Sequence, residues 1–586
     1  MADVPSPRAD IQLSEHPVIR RREVVQPQGD WPADAPEALR NLHAARGSRS
    51  ANHAWPRLAD LPSPESLLDI DRAVALLHDA LDGDRHIVIS SDFDCDGATA
   101  CAVMLRGLRL LGARKVSFAV PDRMRHGYGL TPGFVDELEP LRPELLVTVD
   151  HGIACHAGIA AARERGWNVL VTDHHLPGET LPDANAIVDP NRHGDLFPCK
   201  MLSGVGVAFY VLSALRAAMR ALGDARANDA DLSPLLDLVA VGTVADLVPL
   251  DACNRALVAA GLRRLRLGKG CVGLRALIEV AGRDASRLST ADLGFAIGPR
   301  INAAGRLDDM RLGIRCLVTD DPAEARELAR ILHEINATRR EVQDGMVAEA
   351  LARVPRTVAD VPALCLFDPD WHPGVIGLVA SKLVEQHHRP ALTFARSEPD
   401  STSLRGSARS IPGVHMRDAI ARIDALHPGL IDRFGGHAMA AGLTLDETKL
   451  PQFRAAFTDV IAAQLDADVL ERVLWSDGSL AIADIDHRLA IALRDGGAWG
   501  QGYPEPAFDD VFDVLGTRCV AGKHLALELG RDGRRWRAIQ FSGWTADPIP
   551  ARVRVLYRPA PDDWKGGEAV QLMVLHREPA EDPIGA

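Results

Sequence analysis

Short aliphatic runs that stop abruptly at a carboxylate or an imidazole set the rhythm of the N-terminal half of this chain. Ile87-Val88-Ile89-Ser90-Ser91 runs into Asp92, Asp94 and Asp96. Leu145 to Val149 ends at Asp150-His151-Gly152, and Val169 to Thr172 delivers Asp173-His174-His175. Leu238 to Thr243 leads to Asp246, and Ala186-Ile187-Val188 before Asp189-Pro190 is a weaker fifth echo. Continuous aliphatic runs of this length predict strands buried on both faces. Amphipathic stretches between them, such as Ala98 to Leu111 and Val205 to Leu222, predict helices. Residues 66–270 therefore read as a βαβ unit, a parallel sheet covered on both sides.

The pattern then changes twice. Asp321-Pro322 is a helix start with proline in the first turn. Ala323 to Arg353 carries no proline and one glycine, with Leu328, Ile331, Leu332, Ile335, Val342 and Met346 at mixed three- and four-residue spacing. A single helix of that length extends about 45 Å and joins two halves; the alternative is two helices broken near Asn336-Ala337-Thr338. Residues 355–469 repeat the α/β grammar in a smaller unit. From 470 onward short alternating strands follow (around Val514, Leu527, Ile539, Val555 and Leu572), with Arg531-Asp532-Gly533-Arg534 as a hairpin turn, which predicts a small β-barrel. The expected fold class is α/β and multidomain. It comprises an extension (1–65), a parallel-sheet catalytic domain (66–270), a helical connector (271–354), a second α/β domain (355–469) and a barrel (470–586). The extension, rich in Pro, Arg, Asp and Ala without periodicity, reads as partly ordered.

Functional groups in open α/β sheets gather at the carboxyl ends of the strands. One Asp there commonly caps a helix or makes a turn. Three at alternate positions of one loop, Asp92, Asp94 and Asp96, repel each other unless a cation compensates or their pKa values rise. With Asp150, His174 and Asp246 at equivalent ends, a metal centre is the better account. Oxygen and imidazole donors without thiolate suit Mn²⁺ or Mg²⁺ rather than structural zinc, and shared carboxylates suggest two ions close together. Cys95, inside the loop, is expected to pack backward.

Composition narrows the setting. At 586 residues the chain needs several cores; 47% apolar and 25% charged residues suit a soluble globular protein. No apolar stretch is expected to reach the roughly 18 residues of a membrane helix, and the polar, proline-rich start does not read as a signal peptide. Nine cysteines without a CxxC pair suggest reduced thiols and a cytoplasmic setting. A net charge of −14 argues against an extended basic surface. Arginine clusters (Arg123, Arg125 and His126; Arg263, Arg264 and Arg266; Arg300 and Arg306; Arg405 and Arg409) still allow one Arg-lined channel.

The same residues carry a family resemblance. Asp92-Phe93-Asp94-Cys95-Asp96-Gly97, Thr148-Val149-Asp150-His151-Gly152, Asp173-His174-His175 and Gly242-Thr243-Val244-Ala245-Asp246 resemble the four motifs of the DHH phosphoesterase superfamily. Gly298 to Arg306 (GPRINAAGR) resembles the signature of the RecJ single-strand-specific exonucleases, and Phe434 to Gly442 resembles the glycine-rich heart of a DHHA1 domain. RecJ relatives carry an OB-fold at the barrel's position. Trp499 to Pro506 resembles the segment leading into it, with Tyr503 where Asn is expected, which leaves the local turn open.

The resemblance implies a catalytic set of Asp94, Asp96, Asp150, His174, His175 and Asp246. Asp94, Asp96, Asp150, His174 and Asp246 would be metal ligands, Asp150 bridging the two Mn²⁺ or Mg²⁺ ions. Asp92 is left open as a ligand or an outer group, His175 as an orienting group or a phosphate contact, and Asp173 as a turn cap or an imidazole partner. Arg125, His126, Tyr128, Arg300, Asn302, Arg306, Arg405, Arg409, Ser410, Gly435, Gly436 and His437 would contact nucleic acid, Tyr128 by stacking on an unpaired base. The implied activity is 5′-to-3′ hydrolysis of single-stranded DNA in recombination and repair. It would be performed by a monomer in the cytoplasm, away from membranes, with a single-stranded-DNA-binding protein and a repair helicase as partners. The alternatives are a DHH phosphoesterase of short oligoribonucleotides or cyclic dinucleotides, and a scaffold without catalysis.

Overall fold

The computed structural model describes residues 17–580 except 124, 356, 357, 359, 360, 546, 563 and 564. Five runs form an all-parallel sheet: β1 (Ile87–Ser91), β2 (Val116–Ala119), β3 (Leu145–Val149), β4 (Asn168–Thr172) and β5 (Ala186–Val188), in spatial order β2-β1-β3-β4-β5. Their residues are almost wholly buried except in β2. Helices α1 (Cys95–Leu110), α2 (Gly204–Ala221), α3 (Leu236–Ala245) and α4 (Ala252–Arg266) belong to the same core.

One expected strand is a helix. The run Leu238 to Thr243 lies inside α3, which packs against α1, α2 and α4. A helix buried on every side shows no 3.6-residue polarity, so its valines and threonine read like a buried strand. A second correction concerns α2, whose 18 residues of mean hydropathy 1.2 do have the length and composition of a membrane span. It is a core helix packed against α1 and α3. A third concerns the thiols: Cys199 and Cys253 are joined as a disulfide, Cα atoms 6.4 Å apart, and the other seven cysteines are free.

Beyond α4 come α5 (Gly298–Leu307), preceded by a π-helical turn at Leu293–Ile297, and α6 (Pro322–Arg353). α6 is one unbroken helix of 32 residues through Asn336-Ala337-Thr338. The chain divides into two compact units within it: residues 21–336 with 476–586, and residues 337–475 with the described residues 17–20.

The smaller unit is a sheet of β6 (Leu364–Phe367), β7 (Ala391–Arg396), β8 (Ser403–Arg409), β9 (Arg433–Gly436) and β10 (Ala440–Asp446) in order β9-β10-β8-β7-β6, parallel only between β6 and β7. In the larger unit, β11 (Phe508–Val520), β12 (His524–Arg531), β13 (Arg534–Gln540), β14 (Arg552–Pro561) and β15 (Val570–Pro579) close the expected barrel. Its β12–β13 hairpin turns at Asp532 and Gly533, φ 45° and 80°, the double left-handed turn that matches strand twist. Within the stretch read as an extension, the helix Glu37–Ala45 sends Leu39 into the catalytic core and Leu42 into the barrel's core.

Candidate metal centre

Ser91, Val149, Thr172 and Val188 form one cross-strand row, so Asp92, Asp150, Asp173 and Asp189 leave the sheet side by side. Strand order reverses between β1 and β3, which opens a crevice at their carboxyl ends. Asp94 caps α1, accepting from the Gly97 amide at 3.0 Å, and Asp96 sits in its first turn, buried. The start of α2 holds Asp96 from the other side: Gly204 N and Val205 N donate to its two oxygens at 2.6 and 3.0 Å. The positive end of an 18-residue helix favours a carboxylate there. Gly204 has no room for a side chain, because a Cβ would lie 2.5 Å from Asp150 Oδ1. Asp150 itself adopts φ 64°, a left-handed conformation that costs a non-glycine residue energy and clusters at functional sites. Asp246 is the C-cap of α3.

His174 Nε2 stands 3.1 Å from Asp150 Oδ1, 3.6 Å from Asp246 Oδ2 and 3.9 Å from Asp96 Oδ2. Donor atoms fall into overlapping groups, each within 4.8 Å: Asp92, Asp94 and Asp150; Asp96, His174 and Asp246; and Asp150 with both histidines. Asp150 thus links the sets. Asp92 Oδ1, Asp150 Oδ1 and His174 Nε2 are buried without a hydrogen-bond partner, although the last two face each other. Burial first, and the neighbouring carboxylates second, push Asp92, Asp96 and Asp150 well above the usual carboxylate range. Burial also raises Asp246 and lowers His174. Orphaned carboxylate oxygens and a neutral imidazole converging on one volume fit a pair of hard divalent cations.

Asp173 serves as a bracket. Its carboxylate accepts from Ile153 N at 2.9 Å, His174 N at 2.7 Å and His175 Nδ1 at 2.8 Å. Burial opposes its charge, yet the bond from His175 holds its pKa below the usual range. The same pair overcomes the burial of His175 and raises that imidazole to about 9, so it stands charged. The Tyr128 hydroxyl lies 3.3 Å from His175 and from Asp150 O, while its ring is half exposed. His151 is buried against Ser90 and kept neutral, its pKa lowered by burial to about 4.

Other expected contacts are used structurally. Arg300 is turned inward, buried, donating to Ala296 O and reaching His333. Asn302 Oδ1 accepts from Cys95 N at 2.8 Å, and a Cβ on Gly305 would stand 1.9 Å from Phe93 O. Helix α5 therefore braces the acidic loop. Arg306 is half buried, and Cys95 packs into the core as expected. His126 is occupied by Asp122 N and Glu137, and Arg125 pairs with Glu137 on the surface.

In the other unit, register places Arg433, Thr444 and Arg405 in one row and Gly435, Gly442 and Ser407 in the next, with Arg409 beyond. One sheet face thus carries arginines above a glycine floor; among the described residues beyond its chain neighbours, nothing lies within 4 Å of a Cβ placed on Gly435. Arg409 donates to Ser407 Oγ and Ala408 O. The Ser410 hydroxyl is spent on Val414 O. Gly436 is folded closely over Ala441 at φ 142°, and His437 beside it is exposed.

Comparison with known proteins identifies the family. Models of the DHH family N-terminal domain, the DHHA1 domain and the RecJ OB domain match residues 86–243, 358–463 and 476–576. The single-stranded-DNA-specific exonuclease RecJ of Dickeya dadantii is 45% identical over 574 residues, covering 96% of this chain and 99% of the relative. The chain belongs to the RecJ family. The crystal structure of Thermus thermophilus RecJ with Mn²⁺ superposes with TM-score 0.77 at 32% identity, covering 94% of this chain and 77% of that one. The same protein's complex with Mg²⁺ gives 0.73 at 30% identity over 94% and 76%.

Two features, one in each unit, escape a motif reading. The Gly204 and Val205 amides act through the backbone, and their one sequence signal is Ser203 as an N-cap before a glycine. Arg433 shares its face with Arg405 because side chains alternate along β8 and β9, a period-two signal hidden beside the Gly435-Gly436 pair.

Proposed function

We propose that this chain is a divalent-metal-dependent exonuclease that degrades single-stranded DNA from the 5′ end. The carrying observation is the convergence of orphaned Asp92, Asp150 and His174 atoms with Asp94, Asp96 and Asp246 at the switch point of the sheet. RecJ relatives named for single-stranded DNA, solved with Mn²⁺ and Mg²⁺, support the reading.

Asp94, Asp96, Asp150, His174 and Asp246 would hold two ions, with Asp150 shared and Asp92 completing the first set. When bound, the ions supply Lewis acidity, lowering the pKa of water and offsetting charge on the departing 3′ oxygen. His175, locked by Asp173, would hold a non-bridging phosphate oxygen. Tyr128 offers a stacking ring beside it. Arg405, Arg409 and Arg433 of the DHHA1 sheet would take backbone phosphates, and the glycine floor admits the strand closely. A phosphoesterase of dinucleotides is disfavoured because a short substrate needs no RecJ-type OB domain, and a scaffold because it gains nothing from mutually repelling carboxylates. The chain would act as a monomer in the cytoplasm, alongside a single-stranded-DNA-binding protein and a repair helicase.

Digestion of strands labelled at the 5′ or the 3′ end, with Mn²⁺, with Mg²⁺ and with chelator, tests this. Mononucleotide release from the 5′ label alone, abolished by chelator, is expected; release from the 3′ end first, or activity in chelator, contradicts it. Replacing Arg405 or Arg433 by Ala should weaken binding uniformly across sequences and reduce the salt slope by about 0.7 each; an unchanged slope removes them from the phosphate path.

A further inference from the structure

Asp246 stands at the end of helix α3 rather than on a strand, so its position depends on that helix and on the span that follows. Four residues on, through Leu247 at φ 64°, the chain reaches Leu250; Asp251 then caps α4. That span is fastened by the lead-in to the barrel. Leu250 N donates to Gln501 O at 2.7 Å. Glycines flank that carbonyl and lie against the span: a Cβ on Gly500 would stand 2.6 Å from Leu250 Cδ1, and one on Gly502, at φ 70°, 3.2 Å from Pro249 Cβ. The turn closes on itself through Gly500 N to Tyr503 O at 2.9 Å and Tyr503 N to Gly500 O at 3.1 Å.

Tyr503 anchors this turn. Its buried ring lies 4.0 Å from the Arg255 guanidinium and stacks on Trp499 with centroids 5.5 Å apart. Its hydroxyl is 2.6 Å from His43 Nδ1. The Trp499 carbonyl accepts from the Thr290 hydroxyl. Asn254 ties the same span to the other half of the centre, donating to Pro249 O at 2.9 Å and Met201 O at 2.6 Å. Met201 precedes Ser203 and Gly204, whose amide grips Asp96.

We propose that the Trp499–Tyr503 turn is a positioning element for the metal ligand Asp246, acting through Pro249 and Leu250. The inference rests on the proposed role of Asp246 as a ligand. It makes the barrel's lead-in part of the frame of the nuclease centre. It also explains the unexpected tyrosine, whose flat ring fills the space between Arg255 and Trp499. Removing groups that orient metal ligands lowers metal affinity by roughly 10–100-fold.

The test is Mn²⁺ binding to the full chain by titration calorimetry without DNA, beside steady-state kinetics. Tyr503→Ala should weaken Mn²⁺ by roughly ten-fold and lower kcat while KM for single-stranded DNA holds, and Tyr503→Phe, which keeps the ring, should restore most of both. Gly500→Val wedges Leu250 directly and should act like Tyr503→Ala, which covers the case of a poorly folded Ala variant. Asp509→Asn, a destabilising change away from the turn, should leave Mn²⁺ affinity unchanged. Wild-type affinity in both Tyr503→Ala and Gly500→Val overturns the proposal. So does a loss in Asp509→Asn that matches theirs, since the effect would then follow stability alone. A wild-type chain that takes up no Mn²⁺ overturns the proposed function together with it.

Discussion

Two groups of buried carboxylates stand in the larger unit, and they differ in what surrounds them. Around Asp150 the neighbours are further carboxylates and a neutral imidazole, and atoms are left without partners. At the foot of the barrel, Asp509 accepts from Arg21 Nε at 2.9 Å and Arg554 Nη2 at 2.8 Å. Beside it Asp510 accepts from Tyr557 Oη at 2.8 Å and pairs with Arg531 at 2.7 Å. The environment moves their pKa values oppositely: Asp150 is pushed up, while Asp509, despite burial, is held at about 2 by its arginines and Ser476. Buried acidity therefore does not mark a functional site. Acidity left uncompensated by the protein does, because only an added cation completes it.

The sharpest way to break this contrast is Asp150→Asn, which keeps the shape and tolerates φ 64°. Activity should fall below about 1% of wild type at saturating Mn²⁺, since a hundredfold loss needs only about 2.7 kcal/mol of transition-state stabilisation. In chelator the same variant should unfold at higher urea than wild type, as repulsion among Asp92, Asp96 and Asp150 is relieved. Retained activity, or a chelated variant less stable than wild type, would place Asp150 in the compensated class.

Next in size is Gly204→Ala. Its methyl group would enter space 2.5 Å from Asp150 Oδ1, so a loss of roughly 10–100-fold in activity and Mn²⁺ affinity is expected. Alanine is otherwise the better helix residue. A fully active variant would show that the backbone need not approach Asp150 so closely.

Much of this is legible in the sequence. Aliphatic runs ending in Asp92, Asp150 and Asp173 announce a parallel sheet with its chemistry at the carboxyl ends, because strands buried on both faces have to be apolar. The α3 segment misleads because it has no wet face, which is the property that distinguishes helix from strand in sequence. The inward turn of Arg300 is silent in the sequence because charge alone does not say whether a guanidinium points at solvent or at Ala296 O. The amides of Gly204 and Val205 are silent because backbone donors have no residue identity. The Trp499–Tyr503 turn looks like a linker because its partner, Leu250, lies far away along the chain.

A smaller effect, on stability rather than activity, is expected at the other carboxylate group. Asp509→Asn removes the charge that pairs with Arg21 and Arg554, whose side chains are 53% and 31% exposed. Water can therefore take over part of their solvation, and the cost should be about 1–3 kcal/mol rather than the larger figure for a fully buried pair. Hydrolysis per folded molecule should stay at the wild-type level. A large activity loss at unchanged stability would erase the distinction between the two groups.

The smallest effect is the pH dependence of that stability difference, and its sign follows from the direction of the shift. The folded-state pKa of Asp509 is lowered to about 2, below the ordinary unfolded value of about 3.9. Its stabilisation is therefore fully present above the unfolded value and is lost as pH falls through the folded one. The gap in urea stability between wild type and Asp509→Asn should hold steady from pH 7 to pH 5 and narrow below about pH 4. A gap that already closes between pH 7 and pH 6 would mean a raised pKa at Asp509, and with it a carboxylate as uncompensated as those around Asp150.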